Sequence, residues 1–355
     1  MLVANAANTL AAPGAESGVD AVDKDGDGIV DTEEASLATR FAPVRFFPRD
    51  EPNTPTNVDD FLTGTMLMFY DARCSPHSAS IAAAVKADQL AGFQYTSPCG
   101  GQIYESGGTR SRHKQHSFYL SDVAQDRQAG NPESARWTTY YHVYPNDSGG
   151  VTIQYWFFYA FNTGKSVKLP IIGRVELGFH GGDWEGFHVI VDGARVPIAL
   201  RLLGHTDLQE PRPWSQVSKE GDHPRILSDW GTHTSEMAPS DTATLIRQET
   251  WPSGHVQWPD GHFASSGALV NLGEKTRPFQ TFVRYSGLWG SPGFNFYGIG
   301  GVVALENFSS GYWGPAYNET GMKSDGFISA WCDGIADPGR ALNGTRECYP
   351  TRESD

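Results

Sequence analysis

Between residues 178 and 189 the chain reads GFHGGDWEGFHV, gathering His180, Asp183, Trp184, Glu185 and His188 into one short run. Along a β-strand, side chains alternate between faces. A strand beginning near 183 therefore puts Asp183, Glu185 and Phe187 on one face, and Trp184, Gly186 and His188 on the other. Two carboxylates side by side repel unless a cation or a proton lies between them. His180 precedes them on a glycine-rich approach, and Gly181 and Gly182 leave the backbone free to fold its ring back. One imidazole and two carboxylates suit a divalent cation facing solvent. The competing reading is a strand end whose carboxylates accept from loop amides. His188, on the opposite face, reads as a hydrogen-bonded structural histidine.

A second cation chemistry is written at residues 23–34, DKDGDGIVDTEE. The spacing fits a twelve-residue calcium loop: Asp23, Asp25 and Asp27 at the first, third and fifth places, and Gly28 at the sharp turn. Ile29 offers its carbonyl at the seventh, Asp31 stands ninth, and Glu34 closes the shell as a bidentate twelfth ligand. Only one such loop is seen, where sensors usually pair them. The expected role is a Ca2+ staple for the N-terminus rather than a switch.

The elements that must position these groups are mostly strands. Forty glycines and 22 prolines interrupt the chain of 355 residues often, which favours short strands and turns over long helices. VTIQYWFFYAF (151–161) is a continuous apolar run suited to a central strand. EGFHVIVDG and VPIALRLLG read as a hairpin with Asp192-Gly193 at its turn. Further strands are expected at WTTYYHVYP, HPRILSD, TFVRYSG and FYGIGGVVAL, a short helix passing into an extended segment at the prolines over 35–48, and another helix near SIAAAVKADQLAG. The fold class expected is all-β, an antiparallel β-sandwich with helical and long-loop decorations behind the calcium loop. The segments are 1–20, disordered; 21–37, the calcium loop; 38–318, the sandwich; and 319–355, a tail stapled by a disulfide.

A hydrophobic content of 39% supports a packed core, and a formal net charge of −14 makes nucleic acid a poor partner. RSRHK at 110–114 is too short to change that and reads as a solvated loop. The four cysteines, Cys74, Cys99, Cys332 and Cys348, show no metal-finger spacing and allow three pairings. Joining Cys74 to Cys99 and Cys332 to Cys348 would staple two loops, as in an oxidising compartment. Sequons begin at Asn146, Asn307, Asn318 and Asn343. The opening MLVANAANTLAAPGAESG reads as the remnant of a processed leader, and no run is apolar enough to span a bilayer. The chain is expected to be secreted.

Five segments in order carry a resemblance: RFAPVRFFPRDEPNTPTNVDDFL, IQYWFFYAFN, HGGDWEGFHVIVDG, HPRILSDWGTHTS and YSGLWGSPG. Together they resemble the vacuolar protein sorting-associated protein 62 family over roughly residues 38–318. The Asp-Trp-Glu segment is also similar to the heptapeptide of the necrosis-inducing toxin family, secreted β-sandwiches with a divalent-metal site that engages plant sphingolipid sugar heads. The resemblance implies that His180, Asp183 and Glu185 hold a second divalent cation, Ca2+ or Mg2+, and it lays a further metal-associated Asp of that family on Asn162. This chain departs from the toxin motif at Gly181 and Gly182, where arginine and histidine stand, and the connection from Asn162 to His180 is longer. His233 matches the histidine of the first family's Gly-Ser-His-Ala-Ser pattern, and His142 and His205 fall at family positions near strand ends.

Other residues have plainer readings beside functional ones. Trp289, next to glycine, packs in a core or stacks on a sugar ring. WPSGHVQWPDGHF (251–263) reads as a loop over the sandwich or as the lining of a carbohydrate groove. No nucleophile elbow, phosphate loop or dinucleotide fingerprint occurs.

Three readings compete. In the first, a secreted protein uses the second cation to bind a glycan or glycolipid head group, with His142, His205 and Trp289 as ligand contacts and a membrane surface as a further partner. In the second, a metal-assisted hydrolase cuts a glycosidic or phosphoester bond with Glu185 or His233 as general acid or base. A structural or trafficking module is the third reading. The sequence leaves the oligomeric state open.

Overall fold

The computed structural model describes residues 22–24, 28–48, 51–107, 112–113, 116–132, 136–146, 148–169, 173–177, 179–203, 209–238, 255–262, 269–272, 282–283, 285–292, 296–297 and 304–305. From the N-terminus, α1 (Asp31–Arg40) leads into β1 (Val44–Pro48), and a short α2 (Val58–Leu62) follows. The central sheet is built on β2 (Thr139–Pro145), β3 (Val151–Asn162), β4 (His180–Val191) and β5 (Pro197–Leu202), each antiparallel to the next. Then β6 (His223–Ser228) returns beside β1.

The all-β expectation holds: strands in several sheets dominate, with few helices. Uniform antiparallel pairing does not, because β6 runs parallel to β1 and Leu269–Asn271 runs parallel to β2.

Packing explains why β3 reads as an unbroken apolar run. Tyr155, Phe157 and Tyr159 face α1 and β1, joining Leu37, Ala38 and Phe47 in one core together with Phe187 and Val189 of β4. Trp156, Phe158 and Ala160 point the other way and join Phe61, Phe69, Phe118, Trp184 and Trp289 in a second core. A strand sheltered on both faces has no solvent side, so polar alternation disappears. The Tyr155 hydroxyl donates to the Ala38 carbonyl at 2.8 Å and pins α1 to the sheet.

The register of β3 on β4 sets Tyr159 opposite Asp183, Phe158 opposite Trp184 and Phe157 opposite Glu185. Both carboxylates therefore lie on one face and Trp184 on the other, as alternation requires. The Asp192-Gly193 turn forms as read, the Asp192 carboxylate accepting from the Ala194 and Val196 N–H groups at 2.9 Å each.

Three expectations are corrected. The alanine-rich stretch near residue 80 is a strand, Ser78–Ala83, followed by a 3-10 turn at Ala87–Gly92; pairing with Met66–Asp71 overrides helix propensity. Phe282, Val283 and Tyr285, expected in a strand, lie outside any strand and turn their side chains into the second core. His255–His262, read as loop, is a strand antiparallel to β1. Cys74 and Cys99 form a disulfide, whereas Cys332, Cys348 and the segments at 1–20 and 319–355 lie outside the described residues. Among the described residues, no helix is long and apolar enough to cross a membrane.

Candidate cation site

Asp183 stands just inside β4, placed there by the two glycines before it. Gly182 has φ +59°, and a Cβ there would lie 2.1 Å from the Trp289 carbonyl oxygen. A Cβ on Gly181 would come within 2.5 Å of the Asp122 carboxylate. The 288–290 segment crosses the backbone at this point, so this chain has no room for side chains at 181 and 182.

The Asp183 carboxylate divides its oxygens. Oδ2 accepts from His233 Nδ1–H at 2.8 Å and from the Asn162 side-chain amide at 3.1 Å. Oδ1 faces His180 Nε2 across 3.8 Å. His180 Nδ1 lies 3.1 Å from the Gly181 carbonyl, which can only accept, so Nδ1 carries the proton. In the neutral ring Nε2 is then the unprotonated nitrogen and points toward Asp183, the tautomer a metal ligand needs. Ligands of one hard cation at typical Ca2+ bond lengths sit roughly 3 to 4 Å apart, and this gap falls in that range.

Glu185 lies two residues on, on the same face. Burial and then the Asp183 charge push its carboxyl well above the usual range, against a smaller opposing pull from the Ser235 N–H. A positive charge joining the pair would favour its charged form. Among the described residues, no three His, Cys, Asp or Glu side chains are already drawn in to enclose an ion, so an arriving cation would have to close the set.

His233 reaches the site from the turn between β6 and Ser235–Met237. Its φ of +58° is uncommon for a residue with a side chain and follows Gly231 at φ +67°. The ring holds that conformation through three contacts: a parallel stack on Tyr159 at 3.8 Å, the bond to Asp183, and Nε2 at 3.3 Å from a Glu51 oxygen. Burial opposes charge on this ring, but the bonds to Asp183 and Glu51 prevail and hold its pKa up to about 9.

Around this sits a supporting shell. Glu51 accepts from Gly231 N–H at 2.9 Å and Asn53 N–H at 3.0 Å. The Tyr159 hydroxyl lies 3.0 Å from Ser228 Oγ and accepts from the buried Arg45 guanidinium, which stacks 3.7 Å from the Phe157 ring centre. Glu51, Tyr159 and Arg45 were not singled out from the sequence. The signal was present in RFFPRDEP, where Arg45 and Glu51 sit within the first resemblance motif.

The structure thus gathers His180, Asp183, Glu185, Asn162 and His233. Asn162 enters through nitrogen, its oxygen accepting from Gly164 N–H at 2.8 Å. The expected solvent-facing cradle is corrected: His180, Asp183, Glu185 and His233 are 3%, 0%, 1% and 1% exposed, because the 288–290 segment and the 229–234 turn pack over the strand entrance.

The other candidates fall elsewhere. Trp289 is fully buried, edge-on to Trp184 at 5.3 Å and to Phe158 at 5.2 Å, so it offers no ring face to a sugar. His142 is buried on the Trp184 side, bonded to Gln154 at 3.3 Å, and burial brings its pKa down to about 4. His188 shares that row through Gln154, and its ring nitrogens meet no hydrogen-bond partner among the described residues. His205 lies outside the described residues.

In the N-terminal loop Asp25 and Asp27 likewise lie outside them. The Asp23 carboxylate accepts from Gly28 N–H at 3.0 Å, and Gly28 has φ +94°. The Ile29 side chain packs in the first core, Asp31 pairs with Lys24, and Glu34 is buried against the Asn271 amide at 2.8 Å.

No protein-family model matches the chain, and no curated protein matches it. Its structural neighbours are necrosis-inducing (NLP) toxins. The crystal structure of necrosis and ethylene inducing protein 2, from the causal agent of cocoa's witches' broom disease, overlaps at a TM-score of 0.33 and 11% identity, covering 70% of this chain and 78% of that one. NLPPya in complex with glucosamine overlaps at 0.32 and 13% identity, covering 70% and 77%. A structure described as a toxin fold for microbial attack and plant defense gives 0.32 and 14%, covering 70% and 78%. At that degree of overlap the roles of individual residues rest on the geometry above.

Proposed function

We propose that this chain is a secreted glycan-binding protein whose Asp183 cluster holds a divalent cation, Ca2+ or Mg2+, and that a glycan or glycolipid head group on a membrane surface is its partner. One observation carries the reading: two buried carboxylates on one strand face, Asp183 and Glu185, with Nε2 of His180 aimed toward the first across 3.8 Å. The two carboxylates of Asp183 and Glu185 fit a hard cation and the His180 imidazole adds a nitrogen donor beside them, with Asn162 and His233 orienting Asp183. When bound, the ion would supply the positive charge that lets Glu185 ionise beside Asp183. The chain's own groups do the rest: His233 bridges Asp183 and Glu51, tying the 229–234 turn to β4 and the 51–53 segment.

The cluster is closed, so the ion's part in this reading is to order the strand entrance rather than to meet sugar oxygens directly. The same closure counts against the hydrolase alternative, since both His233 nitrogens are committed to carboxylates and Glu185 is buried. The resemblance to the vacuolar protein sorting-associated protein 62 family and the Ca2+ staple at residues 23–34 belong to the same proposal. The Cys74–Cys99 disulfide supports an oxidising compartment.

The test is a thermal shift with Ca2+ and with Mg2+ in an Asp23→Ala/Asp25→Ala background, then a glycan array with and without chelator. A cation-dependent shift and glycan binding, both lost in Asp183→Asn without product formation, are expected. Release of reducing ends or phosphate would restore the hydrolase. A chain indifferent to both cations would overturn the reading.

A further inference from the structure

At the α2 end of the molecule, on the opposite face of β3 from Asp183, an open cleft of about 360 Å³ remains. Its floor is apolar: the buried side chains of Phe61, Val123 and Ala160. Its rim is polar and of mixed sign. Arg127 lies along the Gly64 backbone, where a Cβ would stand 2.9 Å from its Cδ, and it donates to Thr63 Oγ1 at 2.7 Å. Arg136 is held by Asp60, whose Oδ1 it meets at 2.8 Å. Asp60 also accepts from the Asn57 and Asn131 amides at 3.0 and 3.1 Å, so it spends its acceptors fixing the rim. Asp126 completes the rim as an exposed acceptor.

We infer that this cleft is a binding site for one or two rings of a neutral sugar. The inference rests on the glycan reading for the class of ligand and on the cleft for its place. A pyranose has an apolar C–H face and a ring of hydroxyls that each donate and accept. The Phe61, Val123 and Ala160 floor suits the first. Two guanidiniums and a carboxylate suit the second, because a planar guanidinium offers paired donors to neighbouring oxygens. The two arginines offset Asp60 and Asp126, so the cleft favours neither an anion nor a cation. Its volume lies at the small end of small-molecule sites, too small for a long oligosaccharide. Ala160 adjoins Tyr159, the cross-strand neighbour of Asp183, so the cluster and the cleft share one strand end from opposite faces.

The experiment is saturation-transfer NMR on the full chain with the methyl glycosides of glucose, galactose and mannose, with and without chelator. Two variants act on the cleft: Arg127→Ala removes a donor, and Pro132→Trp fills the exposed mouth. Circular dichroism and thermal melting confirm that each folds. Transfer from at least one glycoside, weakened about tenfold or more in both variants, is expected. No transfer from any of the three, or transfer unchanged in both variants, overturns the inference. Asp183→Asn separates the two proposals. Binding that survives it and the chelator but fails in the cleft variants upholds the cleft and refutes cation dependence. Binding that fails only in Asp183→Asn places the sugar at the cluster and refutes the cleft.

Discussion

Asp183 and Trp184 are neighbours in sequence and lie on opposite faces of β4. Asp183 faces His180, His233 and Asn162, a set defined by charge and hydrogen bonds. Trp184 faces Tyr140, Phe158, Phe282 and Trp289, a set defined by packed rings. The contrast shows that one strand can carry stability on one side and candidate chemistry on the other, provided the charges on the polar side are matched across the fold.

Breaking the aromatic side has the largest expected effect. Trp184→Ala removes the ring at the centre of that cluster and is expected to cost about 3–5 kcal/mol, read by chemical denaturation. A cost under about 1 kcal/mol would mean that the ring cluster does not hold the face together.

Next come the opposed pH limits of the two faces, measured in chelator. On the aromatic side, burial depresses the folded pKa of His142 to about 4, so the unfolded chain takes up the proton first. Stability present above about pH 6.5 is therefore lost as pH falls toward 4, by at most about 3 kcal/mol. On the polar side, His233 is raised to about 9, so its stabilisation is full below about pH 6.5 and is lost as pH rises through 9. His142→Gln should flatten part of the acid limb, with His188 retaining the rest, and leave the alkaline limb intact. A single variant that removed both limbs would show the faces to be one coupled unit.

Gly182→Ala tests the point where the faces meet. A left-handed φ and a Cβ 2.1 Å from the Trp289 carbonyl predict a loss of about 1–3 kcal/mol and a weaker cation response, both read by thermal melting. A Gly182→Ala variant as stable as the parent would show that the 288–290 segment is free to shift.

The smallest expected effect sharpens the contrast most. Burial and the Asp183 charge push the Glu185 carboxyl upward, and Glu185→Gln replaces an acid with an amide of similar shape. Stability in chelator should change by less than about 0.5 kcal/mol, while the cation-induced thermal shift disappears. A cost as large as that of Gly182→Ala would show Glu185 to be an ionised structural group.

Much of this contrast was legible in the sequence. Alternation alone places Asp183 and Glu185 opposite Trp184, and the apolar run at 151–161 marks the strand beside them. What alternation cannot supply is the partner from across the fold. His233 reaches Asp183, and Glu51 reaches His233, from segments that the parallel pairing of β6 with β1 brings together, and a parallel pairing leaves no short-range turn signal. The burial of the cluster was also hidden, since it depends on residues about a hundred positions away crossing Gly181 and Gly182. Trp289 beside glycine looks the same on paper whether it stacks on a sugar or on Trp184.

The central claim, a divalent cation held by His180, Asp183 and Glu185, is tested most directly by isothermal titration calorimetry. The Asp23→Ala/Asp25→Ala chain would be titrated with Ca2+ and Mg2+, alone and with Asp183→Asn added. The account predicts a single-site isotherm for one of the two ions in the first chain and none in the second. A flat titration in the first chain, or an unchanged isotherm in the second, would contradict it.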